Sequence, residues 1–352
     1  MVMKIKWWQI LAMVLMVYVI VAGTLIPLKP GIKHVSPIRI QEFQNQTFDI
    51  EGYNTSFKQE DTRAWIVART GEDKEDLIVS AKTVLVESAV HLKATFFVTD
   101  ELLNLDSRNR DLVIFIDNPR DGCAIMPTGI RLVKGEGGPS SAMSMQPLST
   151  LHVVDSFRFP FRNVLHETIR NTFFHVAIWM SMFILLMVSC YHSIRYLRSS
   201  DLYHDKKSSS LTSVSLYFGI AGLLTGSLWA KYTWGSFWTN DIKLNMTAIA
   251  LLIYFAYWVL RASITDLDSR ARLSSVYNLA SFVVLMILVM VIPRMTDSLH
   301  PGNGGNPALG GEDLDHTLRA VFYPAIIAYT LFGFWMANLY YRYLNLEYRL
   351  SS

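Results

Sequence analysis

Six apolar runs dominate this chain, and they leave it few places to fold other than a lipid bilayer. They cover Trp7–Leu28, Phe173–Ile194, Leu211–Leu228, Met246–Leu260, Val276–Ile292 and Leu318–Tyr340. A membrane-spanning helix needs roughly 20 mainly apolar residues, within about 17–25. The run at Leu211–Leu228 contains Ser, Thr and Gly but no charge. Met246–Leu260 is short by itself and extends upstream to Leu244 and downstream through Ala262. An apolar content of 51% with only 17% charged residues agrees with six spanning helices. The net charge of +3 comes from basic residues scattered at helix flanks, which gives no footprint for nucleic acid.

The first run reads as an anchor rather than a cleaved signal peptide. It exceeds the usual signal core of about 7–15 residues, and no A-x-A cleavage pattern follows it. Lys4 and Lys6 place the N-terminus in the cytoplasm by the positive-inside rule. Alternation then puts residues 29–170 outside and the basic linker Arg195–Ser210 inside. The segment 229–241 falls outside, Arg261–Ser274 inside, Pro293–Thr317 outside and the C-terminal tail inside. Glu312, Asp313 and Asp315 suit the outer loop. Lys231, Lys243 and Arg294 are basic residues on the outer side and therefore candidates for binding an anion.

The outer segment reads as a separate all-β domain. Alternating or β-branched runs occur at Ile38–Phe43, Thr47–Tyr53, Ala64–Ala68, Leu77–Val86, His91–Val98, Leu112–Ile116 and Gly129–Val133. Turn-formers separate them, at Gly71-Glu-Asp, Asp106-Ser-Arg-Asn, Asp117–Gly122 and Gly135-Glu-Gly-Gly-Pro. Short strands with frequent turns predict an antiparallel sandwich or small barrel. Gly135–Ser149 reads as a flexible linker, and Phe157–Arg162 as an interfacial return to the membrane. The domain organisation expected is an N-terminal helix in 1–30, the β domain and linker in 31–165, and a five-helix membrane domain in 166–352. Cys123 and Cys190 should lie on opposite sides of the bilayer, so no internal disulfide is expected. No CxxC, CxxCH or phosphate-binding G-x-x-x-x-G-K-[ST] loop is present. Any ATP-driven step would need another subunit.

Between two of the apolar runs lies Trp229-Ala-Lys-Tyr-Thr-Trp234-Gly-Ser-Phe-Trp238-Thr-Asn-Asp241. A spacer does not need three indoles. Two readings account for them: an interfacial aromatic belt, or a platform for a flat aromatic ligand. Two histidines share its side of the membrane. His175 sits in Phe173-Phe-His-Val-Ala-Ile-Trp179, near the outer end of the second run, and His300 sits in Asp297-Ser-Leu-His-Pro-Gly302. Each by itself suits an ordinary imidazole bonded to a neighbouring carbonyl or lying in a loop. Together with the Trp segment they suit axial ligands to a haem iron. His166 and His316 are reserve candidates, whereas His192 and His204 face the cytoplasm and are poor ones.

The stretch Thr225-Gly-Ser-Leu-Trp229-Ala-Lys231-Tyr-Thr-Trp234-Gly235-Ser-Phe-Trp238-Thr-Asn-Asp241 resembles the Trp-rich WWD signature of haem-handling proteins. With Leu244 and Leu251-Leu-Ile-Tyr254 it is similar to the CcmC family, the haem exporter protein C of cytochrome c maturation. Family members have six helices, an outer WWD loop and a histidine on each side of it. The matching positions are His175-Val-Ala-Ile and Leu299-His300-Pro-Gly. Phe237 and Asn240 stand where the family motif has Trp, and the proline after the first histidine is missing. The large outer domain has no counterpart in the family pattern.

The resemblance implies a haem-handling protein of the bacterial inner membrane, with both termini cytoplasmic and the β domain and WWD loop periplasmic. Its cargo would be haem b. His175 and His300 would be the axial ligands, and Trp229, Trp234, Gly235 and Trp238 would form the platform. Asp241 would fix the loop through hydrogen bonds to backbone or indole N–H groups rather than touch iron. Lys231, Lys243 and Arg294 would pair with the propionates. Its partners would be a CcmE-like haem chaperone, a small CcmD-like subunit and a CcmA/CcmB-like transporter. Any catalysis would be positional. A CcsA-type synthase subunit, a membrane-anchored scaffold or sensor whose β domain binds a partner, and a small-molecule transporter are the alternatives.

Overall fold

A computed structural model describes residues 5–40, 45–68, 77–97, 111–132, 151–154, 156–296, 298–300 and 314–351. The chain divides into two compact units, one of Met1–Ile26 with Glu167–Ser352 and one of Pro27–His166. The first unit is helical. It holds α1 (Trp7–Leu25), a short 3-10 helix (His166–Phe173) entering it, α2 (His175–Ser199), α3 (Leu202–Trp234), α4 (Ile242–Ser263), α5 (Leu267–Met286) and α6 (His316–Ser351). A π turn and a further 3-10 turn carry α5 on to Arg294. All six α-helices are long and apolar enough to cross a bilayer. The protein is a mainly α membrane protein with an inserted β-rich unit.

Helices are the natural form for these runs, because hydrocarbon offers no partner for an open backbone N–H or C=O. They extend beyond the apolar runs and shorten the expected linkers. Lys206 and Lys207 lie on α3, Arg261 on α4 and Arg270 on α5. The Trp-rich segment is likewise not wholly a loop. Trp229, Lys231 and Trp234 ride on the last turns of α3, and only residues 235–241 connect it to α4.

Proline in α6 shows how the bundle meets its backbone obligations. Pro324 has no N–H, so the carbonyl of Ala320, four residues earlier, loses its helical partner. The Tyr18 hydroxyl of α1 donates to that carbonyl at 3.1 Å. Small polar residues draw α2, α3 and α5 together. The Asn278 amide donates to the hydroxyls of Ser189 and Ser193 at 2.9 and 3.0 Å, and Ser189 Oγ lies 2.6 Å from Thr212 Oγ1. Such hydroxyl and amide bonds hold membrane helices where lipid supplies no hydrophobic drive. Near the same end, buried Asp205 of α3 accepts from the two terminal guanidinium nitrogens of Arg261 at 2.6 and 2.9 Å.

The second unit is a β sandwich. One sheet has four strands in the order β1-β3-β7-β6, the other five in the order β2-β9-β8-β4-β5. The strands are β1 (Gly31–Ser36), β2 (Arg39–Ile40), β3 (Asn45–Tyr53), β4 (Arg63–Ala68), β5 (Leu77–Ser80), β6 (Thr83–Ser88), β7 (His91–Phe97), β8 (Asp111–Asn118) and β9 (Gly122–Leu132). All pairings are antiparallel except β2 with β9. Phe48, Ile50, Leu92 and Phe96 of one sheet and Ile66, Leu112 and Ile114 of the other share one buried core.

Three expectations need correction. The strand expected from Gly129 begins at Gly122, and Asp117 and Asn118 belong to β8, so the turn expected at Asp117–Gly122 shrinks to residues 119–121. The run Leu77–Val86 is two strands, because the chain leaves one sheet after Ser80 and enters the other at Thr83. Strand β1 was not expected, since Lys33 and His34 interrupt its alternation with a bulge. Residues 41–43 of the first expected strand, Val98, Val133, the Gly71, Asp106 and Gly135 turns, the 135–149 linker, Glu312 and Asp313 lie outside the described residues. Cys123 and Cys190 are both free thiols.

Candidate functional site

The end of α3, the start of α2, the start of α4 and the segment after α5 converge at one end of the bundle. Two glycines of α3 make this possible. A Cβ on Gly222 would meet the Trp179 indole at 2.6 Å, and one on Gly226 would meet His175 Cε1 at 2.6 Å. The bare backbone at these positions is a groove one turn long, and α2 lays the Trp179 and His175 rings into it. The preceding 3-10 helix fixes the approach. Asn171 donates to the Thr225 carbonyl at 3.0 Å, and Thr168 Oγ1 accepts from the Trp229 indole at 3.1 Å. Arg170 anchors the same turn to the free carbonyls of Gly23 and Ile26 at the end of α1.

His175 Nδ1 lies 3.0 Å from the Gly222 carbonyl and 3.2 Å from the Thr225 hydroxyl. A carbonyl can only accept, so the proton sits on Nδ1 and the lone pair on Nε2. The ring also meets the Trp229 indole edge-on, with centroids 5.7 Å apart.

His300 has the same tautomer for a different reason. Its Nδ1 lies 3.0 Å from a carboxylate oxygen of Asp241. Asp241 is 5% exposed and is the hub of this end of the bundle. It caps α4, accepting from the backbone N–H of Lys243 at 2.9 Å and Leu244 at 3.3 Å. It also accepts from the Ser298 hydroxyl at 2.8 Å and the Leu299 N–H at 2.7 Å. Burial pushes its carboxyl up, but these donors and His300 outweigh it and hold the pKa below the ordinary value. Burial first, and then the Lys243 charge, lower the His300 pKa against the pull of Asp241. His300 is therefore a neutral imidazole near pH 7, with its lone pair on Nε2.

The aromatic residues divide by setting. Trp234, on the last turn of α3, packs against the His300 ring with centroids 4.8 Å apart. Gly235 ends the helix in the left-handed region at φ 81°, which glycine adopts without strain. Beyond it, Phe237 and Trp238 are exposed, and the Trp238 indole donates to Asn245 at 3.2 Å. Among the cations, Lys231 donates to the Gly235 carbonyl at 3.0 Å and so closes its own helix end. Lys243 is half-buried, and its charge acts on both His175 and His300. Arg294 is exposed and close enough for its charge to act on Lys243.

Sequence reading had already singled out the ten residues placed here, but not their connections. It expected Asp241 to bond backbone or indole N–H groups. The backbone bonds are present, while no indole reaches it in the described residues. The His300 ring is its unforeseen partner. Gly222 was missed, and Thr225 and Gly226 entered only as the lead-in of the Trp-rich signature with no role given, although Gly222 and Gly226 four residues apart in an apolar run are a packing signal. The reserve histidine His166 packs against Tyr53 and Phe161 in the β unit, and His316 opens α6.

Comparison with known proteins gives this geometry a family. A model of the family described as CcmC, Heme exporter protein C, matches residues 148–351. Residues 27–147, most of the β unit, fall outside the match. Heme exporter protein C of Bradyrhizobium diazoefficiens is 27% identical over 165 residues, covering 47% of this chain and 62% of that protein. Heme exporter protein C of Paracoccus denitrificans is 27% identical over 180 residues, covering 49% of this chain and 69% of its own length. Cytochrome c biogenesis protein CcsA of Pelargonium hortorum is 37% identical over 79 residues, 22% of this chain and 25% of that protein. The family match takes in more than half of the chain and every helix that builds the histidine and tryptophan cluster, so this protein belongs to the Heme exporter protein C family.

Proposed function

We propose that the protein serves cytochrome c biogenesis as a membrane haem-binding and transfer subunit, with haem b as its cargo. The observation that carries this reading is the matched state of the two histidines. Each gives its Nδ1 proton to a nearby acceptor and keeps an Nε2 lone pair, the form in which imidazole ligates haem iron. Two such rings at one end of the bundle, each packed against a Trp of α3, are a donor set suited to iron with both axial positions filled.

Each remaining group has a part in this reading. Trp234 and Trp229 orient the two ligand rings. Trp238 and Phe237 offer apolar surface to the porphyrin edge. Lys243 and Arg294 neutralise the propionates, and Lys231, occupied at the helix end, ranks behind them. The site lies at the periplasmic face of a bacterial inner membrane, with both termini in the cytoplasm. Haem passes from it to a CcmE-like chaperone, with CcmD-like and CcmA/CcmB-like subunits in the assembly. The protein's contribution is to hold the porphyrin vinyl and the chaperone's nucleophile together.

The β unit acts as a docking module rather than as part of the haem pocket. Most of it lies outside the family match, and no group of three or more metal-binding side chains occurs among the described residues. Purified protein should give a six-coordinate bis-histidine haem spectrum, and His175→Ala and His300→Ala should each lower haem content or change the spin state. Wild-type spectra from both single variants would refute the ligand assignment. Replacing residues 36–150 with a flexible linker should leave the haem-to-protein ratio intact and impair delivery. A stably inserted but haem-free product would refute the docking role.

A further inference from the structure

We propose that Asp241 makes the two histidines unequal ligands, so that His300 stays on the iron while His175 is the ligand that opens during exchange. This rests on the two-histidine reading above and adds an order of events to it.

The acceptors behind the rings differ in charge. His300 Nδ1–H points at a carboxylate, and His175 Nδ1–H points at a neutral carbonyl and a hydroxyl. A hydrogen bond to an ionised acceptor is about twice as strong as one between neutral groups. It also pushes electron density into the ring and raises the basicity of the opposite nitrogen. His300 Nε2 is therefore the stronger donor to iron.

The acceptors differ in fixity as well. Asp241 is held by backbone N–H groups of α4 and by Ser298 and Leu299, so it ties the segment that carries His300 to the start of α4. The Gly222 carbonyl behind His175 is shared with the Thr225 hydroxyl, which donates to it at 3.0 Å. His175 Nδ1–H therefore has two neutral acceptors within reach, whereas among the described residues the acceptor of His300 Nδ1–H is the single Asp241 carboxylate. Ligand exchange at iron then breaks the Fe–Nε2 bond to His175. A lone pair from an incoming neutral donor, such as an imidazole of the receiving protein, forms the new bond, and no electron changes hands.

Carbon monoxide tests this on the full-length, haem-loaded protein in the ferrous state. It occupies the position of whichever ligand leaves. The wild-type CO adduct should match that of His175→Ala in its visible and Fe–C stretching spectra. A match to His300→Ala would overturn the proposal.

Asp241 is tested by filling the cavity of His300→Gly with imidazole or 1-methylimidazole. Only imidazole can donate to the carboxylate, so it should bind at least about tenfold tighter. Asp241→Asn in the same background should reduce that preference, because the amide oxygen accepts the N–H only as a neutral group. Equal binding of the two bases with Asp241 in place would refute the role of the carboxylate while leaving bis-histidine ligation standing. If both single histidine variants keep the wild-type spectrum before CO is added, the ligation reading falls and this proposal with it.

Discussion

The helical unit carries a histidine pair at each end, and the two pairs are built in opposite ways. His192 of α2 and His204 of α3 face one another with their Nδ1 atoms 2.9 Å apart. One ring must donate and the other accept, so between them two neutral imidazoles present a single Nε2 lone pair. His175 and His300 each give their Nδ1 proton to a separate acceptor and present two lone pairs. What prepares a histidine for a metal is thus the partner of its other nitrogen, not the nearness of a second histidine. Sequence reading set His192 and His204 aside because of their side of the membrane. The structure supplies a chemical reason.

The sharpest way to break this comparison is to delete each pair. His175→Ala with His300→Ala should abolish haem binding, read as the pyridine haemochrome-to-protein ratio. His192→Ala with His204→Ala should leave that ratio unchanged, and an equal loss from both would end the distinction.

The acidic residues at the two ends provide a second contrast. Asp205→Ala leaves the Arg261 guanidinium in the bundle without its carboxylate, a change that costs about 3–5 kcal/mol of stability. Asp241→Ala removes a helix cap, worth about 0.5–2 kcal/mol, and takes away the carboxylate that accepts from Ser298, Leu299 and His300. The first variant should melt at the lower temperature yet keep haem in its folded fraction. The second should lose haem while still folded.

A smaller effect should follow from Gly226→Ala, whose Cβ would press on His175 Cε1. A turn of the His175 ring should weaken haem binding several-fold and raise the high-spin fraction. In Gly333→Ala the new Cβ meets the buried Leu185 and Phe218 side chains rather than a histidine and should leave the spectrum alone.

The smallest effect is on pH dependence. The folded pKa of His300 lies below its unfolded value of about 6.5, so the unfolded chain binds the proton first. The contribution of neutral His300 is complete above about pH 6.5 and is lost as pH falls from there toward the folded value. Melting temperatures of the apoprotein should drop across that window, and His300→Gln should flatten the drop. An unchanged slope in the variant would mean that another group titrates there.

The sequence by itself determined the six spans, most of the strands and the residues gathered at the candidate site. Hydropathy, β alternation and the Trp-rich segment are properties of neighbouring residues, and the chain carries them wherever it folds. It could not determine which groups meet. Asp241 and His300 are 59 residues apart, Asp205 and Arg261 are 56 apart, and Tyr18 reaches a carbonyl 302 residues away. The glycines at 222 and 226 look like packing residues in any apolar helix until α2 is laid against them with His175 in the groove. Each of these contacts depends on which helix lies beside which and at what rotation. That is settled by close packing and by the need to satisfy every buried donor and acceptor, conditions that no local stretch of sequence contains.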